Sequence, residues 1–300
     1  MVGFMKNNFD NIELNLTDIK TKIENFYNKE NESLVPNILK KYFVGALIYF
    51  GIYKKLINSS IISNWFDEFE FFWTKFIGGR PLYFHDFHFL LGVYRQKFQS
   101  IHVEQKSSSD KFLKAWQNPN SLYLLFGAVR KYSLEPFSFY KIEKYLKHGD
   151  NVLEYGCGIA PITKSLITYS SKKLNYYYAD IMQINTLYAN YRLKNKAKFF
   201  ELKPGVYNYN FNTKFNVITL ITVLEHLTDP VACLEYLHSI LNKNGFLIFD
   251  FILSEGTGLD TVEALEQREK VINFIEKNFE ITSGKLYNDR SIGTTVAKKK

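Results

Sequence analysis

The sequence predicts an α/β fold in which a mostly parallel sheet of seven strands follows an N-terminal α-helical region. Up to about residue 146, apolar residues recur three and four positions apart, which is the period of an amphipathic helix. After Gly149, short apolar segments rich in β-forming residues alternate with helical segments, as in βαβ units with a parallel sheet. We therefore predict an α-helical domain over residues 1–134 and an α/β domain over residues 135–300.

The helical region is divided by glycine and proline residues, which interrupt helices. The segment ISNWFDEFEFFWTKFI is predicted to end at Gly78–Gly79, and SLYLLFGAVRKYSL is predicted to end at Glu135–Pro136. The segment FSFYKIEKYLKHG predicts one further helix with Gly149 as its C-cap.

Seven segments of the α/β domain predict strands, and helical segments separate most of them. The strands are NVLEY, KLNYYYAD, KAKFFEL, FNVITLITV, GFLIFDFI and two more within FEITSGKLYNDRSIGTTVAKK. The predicted helices are PITKSLITYS, INTLYANYRLKN, DPVACLEYLHSILNKN and TVEALEQREKVINFIEKN. Since parallel strands need long crossover connections, this order favours a parallel sheet.

The net charge of +8 admits nucleic acid, a membrane surface or an anionic small molecule as a partner. The lysines are spread along the chain and form no dense basic stripe, so the charge does not favour a nucleic-acid partner.

Cysteine usage and apolar runs predict a cytoplasmic protein without a membrane span. Cys157 and Cys233 are far apart and fit no metal-binding spacing, which indicates a reducing compartment. The N-terminus lacks the apolar core of a signal peptide. The longest apolar run, Tyr42–Tyr53, is shorter than the roughly 20 residues that span a bilayer. It predicts a buried helix or, because lysines flank it, an interfacial one.

The segment VLEYGCGIAPIT places two glycines directly after the first predicted strand. Gly156 and Gly158 allow a sharp turn and the close approach of a ligand, and the next helix offers free N–H groups at its start. Asp180 ends the second predicted strand, at the distance where an acid can bind a ribose diol. The third glycine of a dinucleotide pattern would fall at Pro161, so that pattern fails.

Two motifs carry a resemblance to a known family. V-L-E-x-G-C-G resembles the first motif of class I S-adenosylmethionine-dependent methyltransferases. FNVITLITVLEHLTDP, over Phe215–Pro230, resembles the fourth strand and following loop of the small-molecule and glycan branch, with Asn216 in place of the usual Asp. The resemblance covers about residues 135–297. It implies a Rossmann-like class I fold, S-adenosyl-L-methionine as cofactor and S-adenosyl-L-homocysteine as product.

The resemblance also implies which residues bind this cofactor. Those that shape the pocket for its methionine part are Glu154, Gly156, Cys157 and Gly158. Asp180 binds the ribose, and Ile181 and Met182 lie beside the adenine. The family often has an acid after the third strand, but residues 203–206 contain none, so Val206 is expected to pack there. Thr222 and Val223 border the cofactor at the end of the fourth strand. The alternative to a cofactor site is that the glycine turn only lets the helix and the strand pack closely.

The helix before the α/β domain is the part of the N-terminal region most suited to reach the cofactor. Tyr123 or Arg130 could contact its carboxylate. The competing interpretation is a core helix with an exposed arginine.

The E-H pair in the loop after the fourth strand predicts the catalytic groups. His226 could accept the proton of an acceptor hydroxyl, because neutral imidazole is a base near pH 7. Glu225 could orient His226 or bind the acceptor. Alternatively, the pair only lines the pocket or caps the helix that starts at Asp229–Pro230. His85 and His88 share a helix face, but no further ligand lies nearby, so no metal is predicted.

The best prediction is a methyltransferase that modifies a small molecule or glycan, at a hydroxyl oxygen. Two alternatives remain: an N-methyltransferase of a small molecule, or a non-catalytic methyltransferase-like partner that acts through its helical domain. Methyltransferases of nucleic-acid amines usually carry N-P-P-Y or D-P-P-Y after the fourth strand, whereas this chain has TVLEH. The helical domain could also form a homodimer.

Overall fold

The computed structural model describes residues 46, 50, 65–82, 86–87, 89–93, 122–133, 140–253 and 260–300. The chain divides into two compact units. The helical unit comprises the described residues up to 143 together with 158–171 and 182–196, and the sheet unit comprises 144–157, 172–181 and the described residues from 197 onward. A separate helical domain that ends at residue 134 stays a prediction.

The sheet has seven strands, as predicted. They are β1 Asn151–Tyr155, β2 Asn175–Ile181, β3 Lys198–Leu202, β4 Phe215–Leu220, β5 Leu241–Phe251, β6 Phe279–Ser283 and β7 Ile292–Lys299. Their order across the sheet is β3-β2-β1-β4-β5-β7-β6, and every pair up to β5 is parallel. Strand β7 runs antiparallel to both β5 and β6.

The helices of the described residues alternate with these strands in the predicted way. They are α1 Trp65–Phe72, α2 Leu122–Ser133, α3 Pro161–Tyr169, α4 Ile184–Leu193, α5 Pro230–Ile240, α6 Val262–Glu266 and α7 Arg268–Asn278. A π-helical turn, Trp73–Ile77, continues α1 and ends at Gly78, whose φ is 76°. Short 3₁₀ helices span Tyr140–Tyr145 and Leu224–His226. None of the described helices is long and apolar enough to cross a bilayer.

The topology places a switch point at the carboxyl ends of β1 and β4. From β1 the chain first builds outward to β2 and β3, and it then returns to form β4 on the other side of β1. Open α/β sheets bind ligands at such a switch point, because the loops on the two sides diverge there.

The helix predicted to end at Gly149 ends earlier, and its described part has a different hydrogen-bonding pattern. Within the described residues of this segment, a 3₁₀ helix spans Tyr140–Tyr145. The amide of Lys147 donates to the carboxylate of Asp150 at 2.7 Å, and the amide of Asp150 donates back to the Lys147 carbonyl. This local turn replaces the helical bond that Lys147 would otherwise make.

The long helix predicted over residues 261–278 is two helices, α6 and α7, which meet at Gln267. The Gln267 side chain donates to the Thr228 carbonyl, while its backbone amide caps α6 by bonding to Glu263 and Leu265. Gln267 therefore ends one helix and starts the next.

Candidate cofactor and active site

The turn after β1 is held against the end of β2 by backbone hydrogen bonds. The amides of Gly156 and Cys157 both donate to the carbonyl of Ala179, at 2.8 and 3.1 Å. Gly156 has a φ of 66°, and a Cβ there would lie 2.5 Å from Cγ2 of Val223. Both the backbone conformation and the neighbouring side chain therefore require glycine at this position.

Burial and two nearby carboxylates raise the pKa of the thiol in this turn. Burial raises the pKa of Cys157 well above its usual value of 9.0, and the charges of Asp180 and Glu154 raise it further. All three side chains are buried. The thiol is therefore protonated at neutral pH and is no nucleophile, and the electrostatic coupling brings together three of the residues predicted to hold the cofactor.

The residues predicted to contact the ribose and adenine follow one another at the end of β2. Asp180 lies in β2 next to its last residue, and its Oδ1 accepts a hydrogen bond from the Ile181 amide at 2.7 Å. Ile181 packs against the core of the sheet unit, whereas Met182 packs against the aromatic core of the helical unit. The role of each toward adenine stays a prediction.

Helix α3 begins at the second half of the glycine turn without a side-chain cap. Gly158 has a φ of 52°, and the N-cap residue Ala160 has a φ of 51° and a ψ of 54°, a left-handed conformation. Pro161 occupies the first helical position, where a missing N–H costs nothing. The methyl side chain of Ala160 cannot accept a hydrogen bond, so this helix begins without a side-chain cap.

At the end of β4, Thr222 is also left-handed, with a φ of 57°. Its amide donates to Oδ1 of Asp250 at 2.6 Å. Asp250 is buried near the carboxyl end of β5. Sequence reasoning missed this residue, although an acid within the apolar strand GFLIFDF was a signal for it. Val206 is half-buried in a turn closed by its amide and the Lys203 carbonyl.

The E-H pair lies in the 3₁₀ helix that follows β4. Glu225 is buried, with 1% of its side chain exposed, whereas His226 retains 17% exposure. Oε1 of Glu225 lies 3.9 Å from Nε2 of His226. The carbonyl of Glu225 also accepts a hydrogen bond from the Thr261 amide at 2.9 Å. The cap of α5 is Asp229, whose side chain accepts from Ala232 at 2.9 Å.

A buried arginine offsets the charge of Glu225. Burial lowers the pKa of Arg268, and the charge of Glu225 is the first influence that opposes this shift. The guanidinium donates to the carbonyls of Tyr287 and Phe251, at 2.8 and 3.5 Å, and it lies over the Phe251 ring. Arg268 thereby connects the β6–β7 loop to the end of β5, and sequence reasoning gave no sign of it.

The remaining predicted residues lie in or near α2 or outside the described residues. Tyr123 and Arg130 are both in α2, where Arg130 is exposed and the side chain of Tyr123 is not among those described. His85 and His88 lie outside the described residues. Within the part of the chain that the structure describes, no three His, Cys, Asp or Glu side chains are grouped to hold a metal ion.

Comparison with known families decides the class of protein. Residues 130–284 match the family described as "Methyltransferase domain". The chain belongs to this family. No curated protein matches the sequence.

Several solved methyltransferase structures are similar to this chain. The N-methyltransferase NodS from Bradyrhizobium japonicum WM9, solved with S-adenosyl-L-homocysteine, is 14% identical, with 67% of this chain and 97% of NodS covered and a TM-score of 0.42. An S-adenosylmethionine-dependent methyltransferase from Clostridium acetobutylicum is 16% identical, with coverage of 60% and 98% and a TM-score of 0.41. Magnesium protoporphyrin IX methyltransferase from Synechocystis PCC 6803 is also 16% identical, with coverage of 58% and 87% and a TM-score of 0.41.

The cofactor of this methyltransferase is S-adenosyl-L-methionine. The turn after β1 fits such a molecule in two ways. Among the described residues, the nearest atom to the place of a Cβ on Gly158 is Nδ2 of Asn185, at 4.0 Å, and the absence of a Cβ lets a ligand come close to the backbone there. Glu154 and Asp180 are buried beside it, and a carboxylate is the kind of group that accepts hydrogen bonds from ammonium and hydroxyl groups; their roles toward the cofactor stay predictions.

Proposed function

We propose that this methyltransferase acts on a small molecule or glycan and methylates a hydroxyl oxygen, with His226 as the general base. The observation that carries the proposal is the pairing of a buried carboxylate with a partly exposed imidazole after β4. Glu225 lies 3.9 Å from His226, and His226 keeps enough exposure to meet an acceptor.

The chemistry asks little of the protein besides alignment and proton transfer. S-adenosyl-L-methionine supplies a methyl group on a positively charged sulfur, which is activated for displacement. A hydroxyl acceptor must lose its proton as the new carbon–oxygen bond forms, and the imidazole of His226 takes that proton. Glu225, 3.9 Å away, stabilises the positive charge that His226 then carries.

The backbone around the pair supports this role. The Thr222 amide donates to Asp250 just before the 3₁₀ helix, and the Glu225 carbonyl within it accepts from the Thr261 amide. A base is effective only if it is held within hydrogen-bond reach of its proton donor. Because Asp229 caps α5, the E-H pair is not needed for capping.

We assign the cofactor contacts to the residues at the carboxyl ends of β1, β2 and β4. Glu154, Gly156, Cys157 and Gly158 surround the methionine part, and Asp180 binds the ribose hydroxyls. The groups assigned to the adenine and to the border of the pocket are Ile181, Met182, Val206, Thr222 and Val223. Tyr123 and Arg130 are assigned to the carboxylate. The shared influence of Glu154 and Asp180 on Cys157 supports this arrangement.

The proposal is tested with purified full-length protein, S-adenosyl-L-methionine and a panel of phenols, sugars, quinols and primary amines. Formation of S-adenosyl-L-homocysteine is measured for each. We expect turnover with a hydroxyl-bearing member, and a rate about 10²–10⁴-fold lower in His226→Gln. The acid limb of the rate–pH profile should disappear in this variant.

The control is His148→Gln, because His148 is exposed and its Nδ1 accepts a hydrogen bond from the Lys173 amide at the surface. This variant should turn over like the wild type. Methylation of amines alone would overturn the choice of oxygen. A fully active His226→Gln enzyme would overturn the role of the base.

A further inference from the structure

The loop that carries the E-H pair is held unevenly along its length. Leu224 and Glu225 are buried, with exposed fractions of 0% and 1%, so packing holds the first part of the 3₁₀ helix. His226 and the three residues after it are only half-buried. The His226 amide donates to the Val223 carbonyl at 2.9 Å, but the next bond along the helix, from the Leu227 amide, is 3.4 Å long. So short a 3₁₀ helix needs contacts from outside to keep its place.

One residue supplies such contacts on both sides of His226. Thr261, which is 5% exposed and lies just before α6, donates its backbone amide to the Glu225 carbonyl at 2.9 Å. Its hydroxyl donates to the Leu227 carbonyl at 2.7 Å. Because Glu225 and Leu227 are the two neighbours of His226 in the chain, Thr261 holds the backbone before and after the imidazole-bearing residue. All four residues belong to the sheet unit.

The Thr261 hydroxyl uses both of its hydrogen-bonding capacities. Besides donating to the loop, Oγ1 accepts from the Ala264 amide at 3.2 Å and so caps α6. Among short side chains, a hydroxyl provides a donor and an acceptor on the same atom. The Gln267 side chain, at the other end of α6, donates to the Thr228 carbonyl at 3.3 Å. Both ends of α6 are therefore attached to the loop that follows His226.

We propose that Thr261 is a positioning residue of this methyltransferase, which fixes the backbone on either side of His226 and thereby places the imidazole for proton transfer. The inference rests on the proposed function, because a general base is effective only within hydrogen-bond reach of its proton donor. Thr261 acts through His226, so its loss should slow the reaction without weakening cofactor binding.

The test compares Thr261→Ala, which removes the hydroxyl, with Thr261→Ser, which removes only the methyl group. Hydrogen–deuterium exchange is followed by mass spectrometry on the wild type and both variants. In Thr261→Ala we expect faster exchange in peptides that span residues 224–228, because the Leu227 carbonyl loses its partner outside the loop. Thr261→Ser should exchange like the wild type. Affinity for S-adenosyl-L-homocysteine, measured by calorimetry, should be unchanged in both variants.

Turnover with the acceptor found in the screen gives a second readout. In Thr261→Ala, kcat should fall about 10- to 100-fold with little change in KM, because small misplacements of a reacting group slow catalysis by such factors. Thr261→Ser should restore kcat. Adding Thr261→Ala to His226→Gln should cause no further loss, since a positioning residue acts only through the residue that it positions.

The matched control is Thr282→Ala in the edge strand β6, which removes a hydroxyl that donates to the Val296 carbonyl at 3.1 Å. It should leave both kcat and the exchange of residues 224–228 unchanged. Thr261→Gly, which weakens a helix cap less than alanine does, takes the place of Thr261→Ala if that variant does not fold.

Unchanged exchange of residues 224–228 in the folded variant would overturn the inference, whether or not an acceptor is known. A further fall in kcat on addition of Thr261→Ala to His226→Gln would also overturn it, because Thr261 would then act by another route. A fully active His226→Gln enzyme would overturn the proposed base and the positioning role together. An inactive His226→Gln enzyme with normal exchange in Thr261→Ala would overturn the positioning role alone.

Discussion

The helical unit and the sheet unit are stabilised in different ways. The core of the helical unit is built from aromatic rings: Phe69 contacts Phe87, Phe126 and Tyr188 edge-on, with centroids 5.0–5.7 Å apart. The core of the sheet unit contains many aliphatic side chains from β1, β4 and β5, with aromatic rings among them. Edge-to-face rings add a directional attraction to the burial of apolar area.

The two units also differ in how polar groups are used. In the helical unit, Glu68 of α1 bridges Lys164 of α3 at 2.9 Å and Arg192 of α4 at 3.0 Å. In the sheet unit, the polar groups of the candidate site are positioned by turns such as Gly156 and Thr222. The helical unit thus adds a long-range ion-pair cluster to its aromatic core, whereas the candidate-site groups of the sheet unit are positioned by turns and by bonds such as Thr222 to Asp250.

The largest expected effect is on the charged cluster of the helical unit. Glu68→Ala leaves the half-buried Lys164 and the buried Arg192 without their shared partner, which should lower the free energy of unfolding by about 3 kcal/mol. All three tryptophans lie in the first 120 residues, so tryptophan fluorescence during denaturant unfolding reports on that region. Asp67→Ala, at an exposed position of α1, should change the free energy of unfolding little. Equal stability of the two variants would contradict a stabilising role for the cluster.

This cluster also predicts a pH dependence. Burial alone would raise the pKa of Glu68, but the charges of Lys164 and Arg192 outweigh it and hold the pKa below the usual 4.5. The unfolded chain therefore binds the proton more readily than the folded one. The stabilisation by Glu68 is present above about pH 4.5 and is lost as the pH falls through the lower folded value. Glu68→Ala should accordingly reduce the acid sensitivity of the fluorescence transition.

An effect of similar or smaller size is expected in the turn of the sheet unit. Gly156→Ala combines a left-handed backbone with a contact of 2.5 Å to Val223, so stability should fall by about 2–5 kcal/mol. Gly158→Ala adds only the backbone strain, about 1–2 kcal/mol, since its nearest neighbour is at 4.0 Å. Adding Val223→Ala to Gly156→Ala should restore part of the loss, as measured by urea denaturation. A double variant no more stable than Gly156→Ala would show that the contact does not matter.

The smallest effect tests a strained residue of the helical unit. Ala160 adopts a left-handed conformation, so Ala160→Gly relieves about 1–2 kcal/mol of strain and costs about 0.4–1 kcal/mol in chain entropy. The net result should be a stabilisation of about 0.5–1 kcal/mol, measured by thermal unfolding. Ala189→Gly, in the buried interior of α4, should instead destabilise by about 1 kcal/mol or more. Destabilisation by both substitutions would argue against strain at Ala160.

The sequence predicted the strands and the glycine turn because both depend on local patterns. Segments such as NVLEY and FNVITL are apolar over the length of a strand, and Gly156 marks a turn by residue type alone. Asp250 was missed because its importance arises from a partner far along the chain. Thr222 lies 28 positions from Asp250.

The charged cluster shows the same limit more clearly. Glu68 is 96 positions from Lys164 and 124 from Arg192, and each of the three would be assigned to a solvated helix face from its local sequence. The prediction of a helix up to Gly149 is wrong for a local reason. The carboxylate of Asp150 competes for the Lys147 amide. The spacing of apolar residues, on which the helix was predicted, carries no information about such competition.

The position of β7 has a consequence for synthesis of the chain. This strand is the last of the seven to be made, yet it lies between β5 and β6 and hydrogen-bonds to both. While a nascent chain is still without residues 292–299, β5 presents an open edge with apolar side chains such as Leu247 and Phe249. Open apolar edges promote association between chains. Completion of the sheet must therefore wait until translation has delivered β7, and stalled or nicked chains are the forms that chaperones would need to protect.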